Sequence, residues 1–227
     1  MRKVAIFDID GTIFRSSLLI ELTDGLIQAG IFSTKVRDEY ARVYKKWLER
    51  KGSYENYIAA VVQAFDKNIK GKKYGDYYDV VKKVVAFHKN RIYRHTRDLV
   101  RELKDKNYFL LAISHSPREM VYEFGKKMGF DKVYGRMREV DARGVFTGKT
   151  LFLDLISDKA KILNRAILRN NLTLKGSVGV GDTESDIRFL KLVEKPTCFN
   201  PNKKLYDYAK RNGWKIVVER KDVIYNL

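Results

Sequence analysis

The chain has 227 residues, 44% of them hydrophobic and 12% aromatic, which is ample apolar surface for a buried core and excludes an intrinsically disordered chain. A single cysteine, Cys198, excludes an intrachain disulfide framework and a cysteine-based zinc site. Its 46 basic and 28 acidic residues leave a formal charge of +18, which favours anionic partners, but with no run of five or six like charges that would mark a nucleic-acid-binding arm.

In chain order, the apolar run Val4 to Phe7 predicts a buried parallel strand over residues 3 to 9, closed by Asp8-Ile9-Asp10-Gly11-Thr12. Residues 15 to 95 then read as helices only, over about 17–29, 34–50, 54–67 and 76–90, broken at Gly30, Gly52 and Gly71 to Gly75. Such a segment predicts a separate helical cap over the strand ends, with the glycine segments as candidate hinges. A helix over 96–106 precedes a second apolar run, Phe109 to Ile113, which ends in Ser114 and is followed by a helix over 117–128. "MREVDARGVFTGK" alternates around Asp141-Ala142-Arg143-Gly144 and predicts a hairpin. A helix over 158–170 leads to a third run, Ser177 to Gly181, ending in Asp182. Strand and helix alternate outside the insertion, so the expected fold is α/β, an open doubly wound parallel sheet with ligands at the carboxyl ends of its strands. The corresponding domains are residues 1–14 with 96–227 as a catalytic core and 15–95 as the cap.

Each run delivers polar groups at its carboxyl end. Residues i and i+2 of an extended chain point the same way, so Asp8 and Asp10 face one spot. Two such carboxylates resist joint ionisation unless a cation intervenes, which suits a nucleophile beside a general acid, although Asp-rich turns also serve as helix caps. Ser116-Pro117-Arg118-Glu119 reads as a capping box with Ser116 as N-cap. Ser114, between a strand end and a helix N-terminus, is a candidate phosphate ligand, with His115 adding its backbone N–H. Lys159 is a candidate near a helix start, where Lys161 or Lys149 would serve as well on local grounds. Asp182, Glu184 and Asp186 gather hard oxygen ligands of the kind Mg²⁺ prefers, and Thr183 with Asp186 can cap the helix they start.

Taken in order, Asp8-x-Asp10-Gly-Thr, Ser114, Lys159 and Gly181-Asp182-x-x-x-Asp186 resemble the haloacid dehalogenase superfamily of phosphohydrolases, in its phosphoserine-phosphatase-like branch with a helical cap after the first motif. The resemblance implies an aspartyl-phosphate on Asp8, with Asp10 as the acid and then the base. It implies Thr12, Ser114, His115 and Lys159 around the phosphoryl group, and Mg²⁺ held by Asp8, Asp10 and Asp182 with support from Asp186. Phosphoserine phosphatases carry a cap-side glutamate nine positions after the nucleophile, where this chain has Ser17, and a cap arginine whose best match here is Val61. The expectation is therefore a Mg²⁺-dependent phosphomonoesterase for a small phosphorylated metabolite, poor on phosphoserine. The alternatives are a phosphoserine phosphatase or a phosphotransferase of the same family, or a basic nucleic-acid-binding protein. No segment reaches the ~18 to 20 apolar residues of a membrane span, so a soluble, cytoplasmic protein is expected, and its expected state is a monomer or homodimer.

Overall fold

The apolar residues of Arg2–Phe7 (β1) need cover on two faces, and β1 lies near the centre of an eight-stranded sheet. The computed structural model describes all 227 residues. Helices α1 (Leu18–Gln28), α2 (Asp38–Leu48), α3 (Tyr54–Ile69) and α4 (Tyr74–His88) follow without an intervening strand. The single helix expected over 34–50 is instead a 3₁₀ turn, Thr34–Arg37, running into α2, with the Ser33 hydroxyl accepting from the Lys35 N–H at its start.

The chain returns to the sheet through α5 (Arg94–Asp105), β2 (Phe109–Pro117) and α6 (Arg118–Met128), and then forms the expected hairpin, β3 (Lys132–Val140) with β4 (Phe146–Leu151). The short α7 (Leu153–Ile156) precedes α8 (Lys159–Asn170) and β5 (Leu172–Gly181). One helical turn, α9 (Ile187–Leu190), is followed by β6 (Lys195–Phe199), α10 (Lys203–Arg211), β7 (Lys215–Arg220) and β8 (Val223–Asn226).

The strand order is β4-β3-β2-β1-β5-β6-β7-β8. The six inner strands are parallel, as expected, while β4 and β8 run antiparallel at the two edges. The chain winds outward from β1 in both directions, through β2 on one side and β5 on the other, and that reversal opens a crevice at the carboxyl ends of β1, β2 and β5. One apolar cluster joins a sheet face to α5, α6 and the helical insertion, and a second packs α8 and α10 on the opposite face.

The insertion is fastened to the hairpin. Gly71 N–H donates to the Phe146 carbonyl (2.8 Å), Phe146 N–H to Lys72 (3.0 Å) and Tyr74 N–H to Gly144 (2.8 Å). Buried Arg138 of β3 reaches Asp66 of α3 through Nε at 3.0 Å and lies over the Phe65 ring, while the Tyr77 hydroxyl donates to Glu119 of α6 at 3.2 Å. The Gly71 to Gly75 segment, a hinge candidate from its glycines, is thus pinned on the core by main-chain hydrogen bonds.

Candidate active site

Asp8 follows β1 directly, and its N–H continues the sheet by donating to the Val180 carbonyl (2.9 Å). Its carboxylate then sits inside the crevice, where Lys159 Nζ lies 2.5 Å from Asp8 Oδ1 and 2.6 Å from Asp186 Oδ1. The second Asp186 oxygen accepts from the backbone N–H groups of Asp182 (3.0 Å) and Thr183 (3.2 Å), so Asp186 is held on all sides. Lys159 owes its position to being the first residue of α8, capped by the Asp158 carboxylate, which accepts from Ala160 N–H at 3.0 Å. Local sequence left Lys161 and Lys149 open; both are exposed in the structure.

Glycine is needed twice where these carboxylates converge. Gly11 has φ +82°, and a Cβ there would stand 2.1 Å from Asp182 Oδ2. At Gly181 a Cβ would stand 2.6 Å from Asp186. The Thr12 hydroxyl donates to Asp182 Oδ1 at 3.3 Å.

One oxygen from each of Asp8, Asp182 and Asp186 lies within 4.8 Å of the others, and buried Asp8 Oδ2 has no hydrogen-bond partner. Burial pushes the Asp8 carboxyl up to about 7 against the pull of Lys159, with Asp186 and Asp10 adding to the rise. Burial together with Asp8 and Asp186 holds Asp182 well above the carboxylate range. Burial works against the Lys159 ammonium, but Asp186 and Asp8 outweigh it and its pKa is raised. Three carboxylates facing one ammonium leave an excess of negative charge on hard oxygen donors. That donor set, with one orphaned buried oxygen, fits a divalent cation such as Mg²⁺.

Asp10 stands beside this cluster. Its Oδ1 accepts from the first N–H of α1, that of Leu18, at 2.5 Å, and its Oδ2 accepts from the Ser114 hydroxyl. Burial raises its pKa against those donors. Ser114 is fully buried and also accepts from Ser116 N–H at 2.8 Å, so its hydroxyl is committed to Asp10 and the turn. The capping box expected at Ser116 does not form. Strand β2 stays extended through Pro117, which pairs with Arg136, and the Ser116 hydroxyl instead accepts from Leu19 N–H of α1 at 3.1 Å. His115 Nε2 donates to the Ile156 carbonyl at 3.1 Å, and burial with the nearby Lys159 and Arg136 cations pushes its imidazole down to about 4.

These groups open into a cleft of about 610 Å³ between the core and the insertion. On its insertion side α3 presents Tyr54, Ile58 and Val62, at helical spacing, with Ser17 below them. Val61 points into the insertion's own core with 1% exposure, so the residue matched to an arginine is not on the cleft wall, and the one charged α3 residue that is, Glu55, is an acid. The core side carries Asn200, Asn202 and Lys204, which periodicity did not single out. Asn202 has a readable local signal as N-cap of α10, accepting from Leu205 N–H at 2.9 Å, and its own N–H donates to the Asp182 carbonyl at 2.8 Å. Lys204 Nζ spans the mouth from Glu184 (2.6 Å) to Glu55 of α3 (3.3 Å).

A sequence profile of the haloacid dehalogenase-like hydrolases matches residues 5–191. The chain is 25% identical over 225 residues to phosphoserine phosphatase SerB1 of Mycobacterium tuberculosis, covering 95% of this chain and 70% of that protein. Among solved structures it is similar to a protein of unknown function from Bordetella pertussis Tohama I, with a TM-score of 0.76 at 16% identity, covering 95% and 98% of the two chains. It is also similar to a phospho-aspartyl intermediate analogue of phosphoserine phosphatase, with a TM-score of 0.65 at 21% identity, covering 97% and 95%. At these identities the structural likeness is one of fold.

Proposed function

Because the chain belongs to the haloacid dehalogenase-like hydrolases, we propose that it is a Mg²⁺-dependent phosphomonoesterase for a small phosphorylated metabolite, working through an aspartyl-phosphate on Asp8. The observation that carries this reading is the buried arrangement in which Lys159 holds one Asp8 oxygen while the other has no partner. Asp8 and Asp182 with the Asp10 carbonyl would hold the cation, with Asp186 supporting them through Lys159 and the backbone, and the cation would supply positive charge against the phosphoryl oxygens and the carboxylates.

An Asp8 oxygen forms a bond to phosphorus as the ester P–O bond breaks, and the leaving alkoxide takes a proton from Asp10, whose burial-raised pKa suits an acid. Water then attacks phosphorus and gives its proton to Asp10, which frees inorganic phosphate and returns Asp8 to a carboxylate. Lys159 stays cationic throughout and offsets charge on the transferring group. Thr12 positions Asp182, Ser114 orients Asp10, and neutral His115 forms part of the cleft floor.

The α3 wall carries no cation and one acid, Glu55, which supports a substrate whose non-phosphate part lacks a carboxylate, because burying that charge beside Ile58 and Val62 would be costly. Phosphate release from p-nitrophenyl phosphate tests the reaction: Mg²⁺-dependent turnover is expected, falling at least about 10³-fold in Asp8→Asn. Inactivity with Mg²⁺ present, or equal rates in the two proteins, refutes it. A parallel panel tests the substrate, and phosphoserine outpacing neutral phosphomonoesters tenfold would overturn that part alone.

A further inference from the structure

Another large cavity lies away from the cleft, along the outer edge of β3. Strand β4 pairs with β3 only from Met137 onward, so the first half of β3 is an open edge. Asp131 N–H donates to Leu110 of β2 (3.0 Å), and the two-residue alternation then turns the N–H and C=O of Lys132 and Tyr134 outward. Helix α6 flanks this edge from one sheet face and α8 from the other, enclosing about 610 Å³.

Each helix sends a cationic stripe into the groove: Arg118 and Lys126, two turns apart on α6, and Arg165 and Arg169, one turn apart on α8. None of the four has a carboxylate partner among the ion pairs of the structure, so their charge is free to meet a ligand. The one acid lining the groove, Asp131, is already taken by Arg2 (3.4 Å) and Leu110 N–H (2.8 Å). Between the cations lie aromatic rings, Tyr122, Phe130, Tyr134 and Phe152. Phe152 is 68% exposed at the rim and is held at φ +54°, a costly backbone conformation for an aromatic residue.

We propose that this groove is a second ligand site, distinct from the catalytic cleft, and that it takes a nucleoside di- or triphosphate. Arg118, Lys126, Arg165 and Arg169, with Lys132 on the strand, supply enough positive charge to offset three to four phosphate charges, the rings offer faces on which a base can stack, and the outward N–H and C=O groups of Lys132 and Tyr134 can meet base-edge donors and acceptors. A cavity of this volume suits one nucleotide. Helix α8 begins at Lys159 and α6 begins two residues after Ser116, so the ligand lies against the two helices whose N-termini frame the cleft.

The test is a fluorescence titration with N-methylanthraniloyl-ADP in metal-free buffer at physiological salt, which suppresses turnover and screens the net charge. Saturable binding is expected, displaced by ATP but by neither adenosine nor inorganic triphosphate at equal concentration. Arg165→Glu with Arg169→Glu should weaken it about tenfold or more, and Phe152→Ala, at an exposed position, several-fold. The charge-matched pair Lys210→Glu with Arg211→Glu on α10 should stay within about twofold. Any of four results overturns the proposal: no saturation, equal loss in both double variants, inorganic triphosphate competing as well as ATP, or displacement by an acidic peptide in preference to ATP. The last would make the open β3 edge a peptide-docking strand.

Discussion

Replacing Gly11 by alanine separates two costs that the structure places on one atom. At φ +82° an alanine costs about 1–2 kcal/mol of backbone strain. Its Cβ would also stand 2.1 Å from Asp182 Oδ2, where ordinary contact begins at 3.4 Å, so the carboxylate has to move by more than about 1 Å. Gly144, at φ +74° with nothing within 4 Å of its Cβ, carries the first cost without the second. Thermal melting in the presence of a chelator should show both alanine variants losing about 2–8 °C. A Mg²⁺ titration of phosphate release should tell them apart. Gly11→Ala should lose about 100-fold or more in kcat/KM and need more Mg²⁺ for half-saturation, while Gly144→Ala keeps both. A Gly11→Ala enzyme with an unchanged Mg²⁺ requirement and a rate within about twofold of the parent refutes the placement of Asp182 in the metal site.

Two further outcomes follow from buried groups. His115 is neutral in the folded protein down to about pH 4, whereas an unfolded histidine takes up its proton near 6.5. Its contribution to stability is therefore complete above 6.5 and is lost as pH falls toward 4, by at most about 3 kcal/mol. His115→Gln keeps a donor for the Ile156 carbonyl, so denaturant unfolding should show the parent losing stability relative to the variant over that window, and a constant difference would contradict the assignment. Asp66→Ala strands Arg138, whose side chain is 4% exposed, and should cost about 3–5 kcal/mol by the same assay. A loss below about 1 kcal/mol would show that the insertion is not anchored through β3.

The parts of this protein that were legible in its sequence are those with a long local signal. Continuous apolar runs at Val4–Phe7, Phe109–Ile113 and Ser177–Gly181 required burial on both faces, and each became a central strand whose next residues build the site. The family resemblance singled out Lys159 where helix position alone did not, because its role depends on Asp8 and Asp186, which are distant in sequence. Ser116 shows the converse. Its local signature was a good helix cap, but the pairing of Pro117 with Arg136 kept the chain extended and delivered the hydroxyl to α1. Strand β6 is only five residues long and contains Pro196, and so carries too little pattern to be read. The groove beside β3 was invisible for a different reason: its cations sit on two helices and its rings on several segments, and each helix alone reads as an ordinary solvated face.

Trapping the covalent intermediate tests the central claim most directly. The enzyme is quenched in acid during turnover of p-nitrophenyl phosphate with Mg²⁺, reduced with borohydride, and digested for mass spectrometry. An acyl phosphate on Asp8 is reduced to homoserine, so homoserine at position 8, absent without substrate, is the predicted result. Homoserine at another aspartate, or an unmodified Asp8 in an enzyme quenched at saturating substrate, would contradict the assignment of Asp8 as nucleophile.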